Sequence, residues 1–281
     1  EDHGVGDVGD MQLVEAEEAA AVGNRVGDMR NRIAVDRLSR GADPVVLAQL
    51  ASATIHTVAI RARARAPKGQ GMKHQRFIRV VDDFYAHPAA VCRRARTAAY
   101  YEPDDATGYR SRAVFHERGV RARLQRLLGL RIVRWDTGPD EGNGIFYMGL
   151  SHGRQREVPA VHFDHPCDDV TAVVYLSPGV PADCGTSHWM HRATGLADAP
   201  TAADARRLGR PVDELRRALE RDASRRERWI EIDRIGYRPN RLVAYPSGVL
   251  HSATRHFGGS TADGRLYQTF RVGVDWSTFG R

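Results

Sequence analysis

Aromatic side chains are missing from the first quarter of this chain. Of its 281 residues, the first Phe, Tyr or Trp is Phe77. A segment without large side chains has little apolar surface with which to offset the entropy of ordering. Residues 1–71 are dominated by Ala, Gly, Val, Asp, Glu and Arg, and Arg61-Ala62-Arg63-Ala64-Arg65-Ala66 is of low complexity. They are expected to form an extension, disordered or folded into a helical arm, with helical stretches at about 11–22 and 43–60. The extension closes on Pro67-Lys68-Gly69-Gln70-Gly71, a linker composition. Met72 then opens the main domain, 72–281, and reads as a natural start. The competing reading of 1–71 is an arm used in forming a homodimer.

Cysteine is scarce too. Cys92, Cys167 and Cys184 are odd in number, widely spaced and without a CxxC, which excludes a disulfide framework and a cysteine-based zinc site. Lysine occurs only at Lys68 and Lys73, so the net charge of +7 rests on arginine. That balance suits an anionic partner. The arginines are spread along the chain with no stripe interleaved with aromatics, so nucleic-acid binding is not expected. No apolar run approaches the roughly 20 residues that span a bilayer, and no membrane partner is expected. The acidic start, Glu1-Asp2-His3-Gly4, carries no secretory pattern, and the expected compartment is the cytoplasm.

From Phe77 onward the pattern is that of an ordinary core. A short strand is expected at 77–81 and helices at about 87–100 and 118–129. Strand-like runs follow at 130–135, 144–149, 160–163 and 171–176. Residues 200–228 return to helix, rich in Arg, Glu and Ala. They read as a solvated helical insertion, at about 198–229, or alternatively as a lid. Strands resume at 230–232, 241–245, 249–253 and 266–274. Helices followed by about eight short strands predict a mostly β fold, a jelly roll with flanking helices.

Three residues carry the chemistry. His162 and Asp164 stand at i and i+2 of a strand-like run, which would put both on one face. His251 follows 89 residues later, after the turn Pro246-Ser247-Gly248. Two imidazoles and a carboxylate leave open positions on a metal, the ligand set of non-heme iron(II) oxygenases, which also take a bidentate 2-oxo acid and dioxygen. An HxD alone is close to chance expectation, so its surroundings decide its weight. On a strand, Arg265, Tyr267, Thr269 and Arg271 share a face. A guanidinium there could pair with the far carboxylate of 2-oxoglutarate. His188 and His191 form an HxxH with no cysteine or carboxylate complement, which argues against a zinc site. Those histidines, with His165, Thr186 and Arg192, are instead candidates for substrate contact.

The order of these pieces resembles the prolyl-4-hydroxylase-like branch of the iron(II)/2-oxoglutarate dioxygenases over about 75–280. The matching pieces are His162-Phe163-Asp164, Val174-Tyr175-Leu176-Ser177, Asp183-Cys184-Gly185-Thr186, His251 and Arg265-Leu266-Tyr267-Gln268-Thr269. Residues 185–195 are similar to a "GTxxxRHxxTG" stretch of an uncharacterised bacterial subgroup. Departures are Cys184-Gly185 for a paired glycine and a 14-residue step from His251 to Arg265. The second leaves Arg265 and Arg271 both open as the 2-oxoglutarate partner. Arg265 is preferred because it holds the "RYxxT" position.

The resemblance implies a double-stranded β-helix, iron(II) held by His162, Asp164 and His251, and 2-oxoglutarate bound by Arg265 with help from Tyr175, Thr269 and Arg271. It implies hydroxylation of an unactivated C–H of a small-molecule or amino-acid-derived substrate by dioxygen, with release of succinate and CO2. Two rivals keep the jelly roll. One is a cupin-like metal-dependent isomerase or hydrolase; the other is a non-catalytic binding module.

Overall fold

The structure is a computed structural model that describes residues 55–56, 77–103, 108–138, 142–153, 156–164 and 169–279. The chain divides into two units, Glu1–Ser52 and Ala53–Arg281, and every described residue belongs to the second. The expected N-terminal extension therefore lies outside the described residues, apart from a two-residue strand, Ile55–His56 (β1). That strand falls where a helix was expected. It pairs antiparallel with Arg79–Val81 (β2), and β-branched Ile55 suits it to that state.

Along the chain there follow Pro88–Arg96 (α1), Tyr100–Tyr101 (β3), Tyr109–Ser111 (β4), Val120–Leu128 (α2), Arg131–Arg134 (β5), Ile145–Gly149 (β6) and Val170–Tyr175 (β7). The second half holds Thr186–His191 (β8), Ala202–Leu208 (α3), Val212–Asp222 (α4), Trp229–Ile235 (β9), Leu242–Pro246 (β10), His251–Ala253 (β11) and Arg265–Asp275 (β12). Among the described residues, all pairings between these strands are antiparallel. The large sheet runs β1-β2-β10-β7-β12-β6-β4-β3, with β5 also on β12; the small sheet runs β11-β8-β9. Among the described residues no helix is long and apolar enough to cross a membrane.

Side-chain alternation assigns the two faces of the large sheet. Val170, Ala172 and Val174 of β7, Leu266, Phe270 and Val272 of β12 and Leu242 and Ala244 of β10 point to one side. There they pack on Val91 and Ala95 of α1 and on Leu124, Leu127 and Leu128 of α2. The opposite residues, Val173, Tyr175, Val243 and Tyr245, turn toward the small sheet and pack with Cys184, Tyr237 and Val249. Strand β7 is buried at all six positions because both faces are covered. The result is a two-layer antiparallel arrangement with helices outside the large sheet, in line with a jelly-roll-like architecture.

The 198–229 segment holds two helices, α3 and α4. Gly209 (φ 64°) ends α3 in the left-handed conformation, and Pro211 starts α4. Leu215 and Leu219 of α4 are buried against Trp189, Trp229 and Leu250, on the small sheet's outer face. A narrow apolar stripe is therefore enough to dock a helix that looks solvated from its composition.

Candidate metal centre and its cavity

His162 and Asp164 do not sit on a regular strand, contrary to expectation. The segment makes one isolated bridge, His162 with His251. His162 N–H donates to the His251 carbonyl at 2.9 Å, and His251 N–H donates back at 2.8 Å. Asp164 N–H then donates to the Ser247 carbonyl at 2.9 Å. These bonds hold the segment extended against the turn before β11, so the i, i+2 relation survives without a ladder. Ligand atoms of His162, Asp164 and His251 all lie within 4.8 Å of one another, and among the described residues this is the one such cluster of His, Cys, Asp and Glu. Ligand atoms about 2 Å from a shared ion stand roughly 3–4 Å apart, so the cluster is of the right size.

Both imidazoles are oriented the same way. His162 Nδ1 lies 2.9 Å from the Ala160 carbonyl and His251 Nδ1 lies 2.8 Å from the Val249 carbonyl. A carbonyl can only accept, so each Nδ1 carries the proton and each Nε2 keeps a lone pair. Asp164 is held as well. Thr171 donates its hydroxyl to Oδ2 at 2.6 Å, and Arg271 donates to Oδ1 at 3.1 Å. Burial pushes the Asp164 carboxyl up, but His251, Arg271, His162 and the Thr171 bond outweigh it and keep the pKa below the usual carboxylate value. Burial, then neighbouring His162, lowers the pKa of His251 to about 3, so its ring is neutral. Two imidazoles and one carboxylate with open space beside them fit a divalent iron.

The triad opens into a cavity of about 890 Å³. Its floor is the inner face of the large sheet, laid down in rungs by strand register. Arg271 stands beside Thr171, and Tyr245 beside Thr171 on the far side. Thr269 stands between Val173 and Ile145. Tyr267 stands between Tyr175 and Tyr147, and Arg110 is opposite Tyr147. Arg265 ends the series, paired with Gly149. The expected shared face of Arg265, Tyr267, Thr269 and Arg271 is therefore a cavity wall.

The two arginines occupy opposite ends of that wall. Arg271 belongs to the metal end, on Asp164. Arg265 lies at the far end, buried; its guanidinium donates to the carbonyls of Cys184 at 2.7 Å and Gly185 at 3.2 Å. Its carbon stands 4.6 Å from the Tyr267 ring centroid and 5.4 Å from that of Tyr175. Thr269 lines the cavity but donates its hydroxyl to the Gly142 carbonyl.

Other expected site residues are placed differently. Tyr175 is fully buried and its hydroxyl shares a 2.7 Å hydrogen bond with Thr186, whose side chain takes the wall position. His188 is not on the wall: it is buried behind the triad, paired in register with His251 and edge-on to Tyr245. The segment expected to offer these substrate contacts is largely β8, and this strand turns His188 inward. Arg192 follows β8, is exposed and does not line the cavity. His165 lies outside the described residues. Glu157, His256, Tyr147 and Arg110 were not singled out from sequence, yet all line the cavity. Alternation in Ile145, Tyr147 and Gly149 was the available signal for the tyrosine; Glu157 and His256 come from loops and offered none.

Residues 63–270 match a family described as a family of unknown function (DUF6445), and the chain belongs to that family. No curated protein matches the sequence. Among solved structures, a Pseudomonas putida prolyl-4-hydroxylase is similar at 13% identity and a TM-score of 0.34, over 69% of this chain and 91% of that one. A likeness that distant carries no functional inference.

Proposed function

We propose that this protein is an iron(II)- and 2-oxoglutarate-dependent oxygenase built on a double-stranded β-helix. Its substrate is a small molecule or an amino-acid or peptide side chain, hydroxylated at an unactivated C–H. The observation that carries this reading is the pairing of Nε2-presenting His162 and His251 with ionised Asp164 at one end of a cavity whose other end holds buried Arg265. A metal-dependent hydrolase would need the triad alone; the arginine across the cavity suits a cosubstrate with a chelating end and a carboxylate end.

Iron(II), when bound, would activate dioxygen, the oxidant, with 2-oxoglutarate as co-reductant: one oxygen atom would end in the hydroxylated C–H and the other in succinate, with CO2 released. The chain's residues do the rest. Ala160 and Val249 carbonyls fix both imidazole tautomers. Thr171 and Arg271 keep Asp164 ionised and pointed. Arg265 would fix the far carboxylate, and between the two arginines that preference follows from Arg271 being engaged with Asp164. Tyr147, Tyr109 and Val158, on the wall and at the mouth, would seat the substrate and exclude water.

Anaerobic protein loaded with iron(II) should develop a weak visible charge-transfer band only on addition of 2-oxoglutarate. Metal retention without that band would favour a metal-dependent isomerase or hydrolase. Retention of neither would leave a binding module.

A further inference from the structure

Arg265 does not close the cavity alone. Its register partner on β6 is Gly149, and the space where a side chain at 149 would stand is filled from elsewhere. A Cβ there would lie 2.3 Å from His256 Nδ1 and 2.5 Å from Glu157 Oε2. Gly108, on the other side, leaves room for the same carboxyl: a Cβ at that position would lie 2.7 Å from it. A carboxyl and an imidazole are therefore wedged between two glycines, one strand away from the guanidinium and facing the same cavity. Residues directly opposite on paired strands are roughly 5 Å apart, so this is one cluster.

Its hydrogen bonding is incomplete. Glu157 Oε2 and His256 Nδ1 are buried and make no hydrogen bond. Glu157 Oε2 lies 3.6 Å from His256 Nε2, beyond hydrogen-bond reach. The Cys184 and Gly185 carbonyls take two of the five N–H groups of Arg265. Buried polar atoms without partners are costly, and a ligand that supplied those partners would be bound by the difference.

We propose that Glu157 and His256 complete the anion receptor at Arg265, with the Glu157 carboxyl protonated and donating a hydrogen bond to the far carboxylate of an entering C5 dicarboxylate. This rests on the reading that Arg265 receives that carboxylate. Two carboxylates beside one guanidinium repel unless one carries a proton, so entry of the ligand onto ionised Glu157 takes up one proton from solvent. The surroundings favour the neutral acid. The charged and titratable groups around Glu157 are Arg110 with Tyr109 from β4, Tyr147 from β6, Arg265 with Tyr267 from β12, and His256. Burial raises the Glu157 carboxyl to about 7 despite the opposing pull of Arg265 and Arg110. Burial and then Arg265 lower His256 to about 3, so its ring adds no charge near neutrality.

The test is calorimetric titration of the full chain, anaerobic and loaded with iron(II), with 2-oxoglutarate from pH 6 to 9 in two buffers of different ionisation enthalpy. The visible band is read in parallel, with Glu157→Gln as the variant and glutarate, which lacks the keto group, as a second probe. The expected result is uptake of about one proton above pH 8, and an affinity that falls about tenfold per pH unit above 7. Glu157→Gln should bind with no proton uptake and a flat profile. If the band forms but wild type takes up no proton, or the variant keeps the wild-type slope, the receptor proposal is overturned while the oxygenase reading stands. If no band forms yet glutarate binds with a Glu157-dependent proton uptake, the receptor stands and the oxygenase reading fails. If no band forms and glutarate does not bind in this way, both are overturned.

Discussion

His162 and His251 exchange both of their backbone hydrogen bonds, and their ring centroids lie 4.4 Å apart. Two ligands 89 residues apart in the chain are thus locked as cross-strand neighbours, and the metal site needs no rearrangement to assemble. The carboxylate is the ligand that can be removed with least damage to this pair. Asp164→Ala should abolish iron(II) binding and the 2-oxoglutarate band while the far-ultraviolet spectrum stays native. Retained tight iron binding in the variant would show that the triad is not the metal site.

Thr171 tests the support of that carboxylate. Its hydroxyl donates to Asp164 and shares a 2.9 Å bond with Ser247. Thr171→Val keeps the shape and removes both bonds. Iron affinity should fall about 10–100-fold, as for other residues that orient metal ligands. The apoprotein should lose about 1–3 kcal/mol, because Ser247 is left buried and less well satisfied. Equilibrium titration with iron(II) and chemical denaturation separate the two effects.

Some of this site was legible in the sequence and some was not, for a physical reason. The face shared by Arg265, Tyr267, Thr269 and Arg271 follows from the twofold period of a strand, and the structure makes it a wall. The triad was legible as residue types in order, although the segment bearing His162 and Asp164 is held by turn residues instead of a ladder. By contrast, Thr186-Ser187-His188-Trp189-Met190-His191 shows no apolar alternation, because its two inward side chains, Thr186 and His188, are themselves polar, packed on Tyr175 and Tyr245 of the large sheet. Ser187, on the opposite face, is polar as well and bonds both Glu231 and Thr254. No strand was therefore expected there. Glu157 and His256 reach Arg265 only through the close approach that Gly149 permits, and no local pattern encodes that.

Tyr175 illustrates the difference between facing inward and reaching a ligand. Its hydroxyl is already engaged with Thr186, and burial pushes its pKa above the ordinary tyrosine value. Tyr175→Phe should cost about 1 kcal/mol of stability, a typical net value for one hydrogen bond. The affinity for 2-oxoglutarate should change by less than twofold, measured from the same visible band. A tenfold loss of affinity would restore a direct role for this hydroxyl.

Gly149 is required by what sits on it. Gly149→Ala places a methyl inside the Glu157 carboxyl and the His256 ring, so both must move. Displacing packed groups in this way costs typically 1–3 kcal/mol. Because the Glu157 side chain is flexible and the imidazole is not, Gly149→Ala with Glu157→Ala should recover only part of the loss. Adding His256→Ala to that pair should recover more. Melting temperatures of the series, compared with each single variant, give the coupling.

Glu157 should also leave a mark on stability against pH, independent of any ligand. Its carboxyl is raised from 4.5 to about 7 in the folded protein, mainly by burial. Between those values the folded state holds a proton that the unfolded state has released, so stability falls as pH rises from about 4.5 to 7 and is level above. Each pH unit in that window is worth at most about 1.4 kcal/mol, which makes the total about 3 kcal/mol. His256 works in the opposite direction. Its pKa is lowered to about 3, so the folded state holds fewer protons below the ordinary histidine value, and stability falls as pH drops from 6.5 toward 3. Wild type and Glu157→Gln share that histidine, so the difference between their denaturation curves isolates the carboxyl. The variant should gain on wild type by about 3 kcal/mol between pH 5 and 8; parallel curves would mean that Glu157 is ionised in the folded protein throughout.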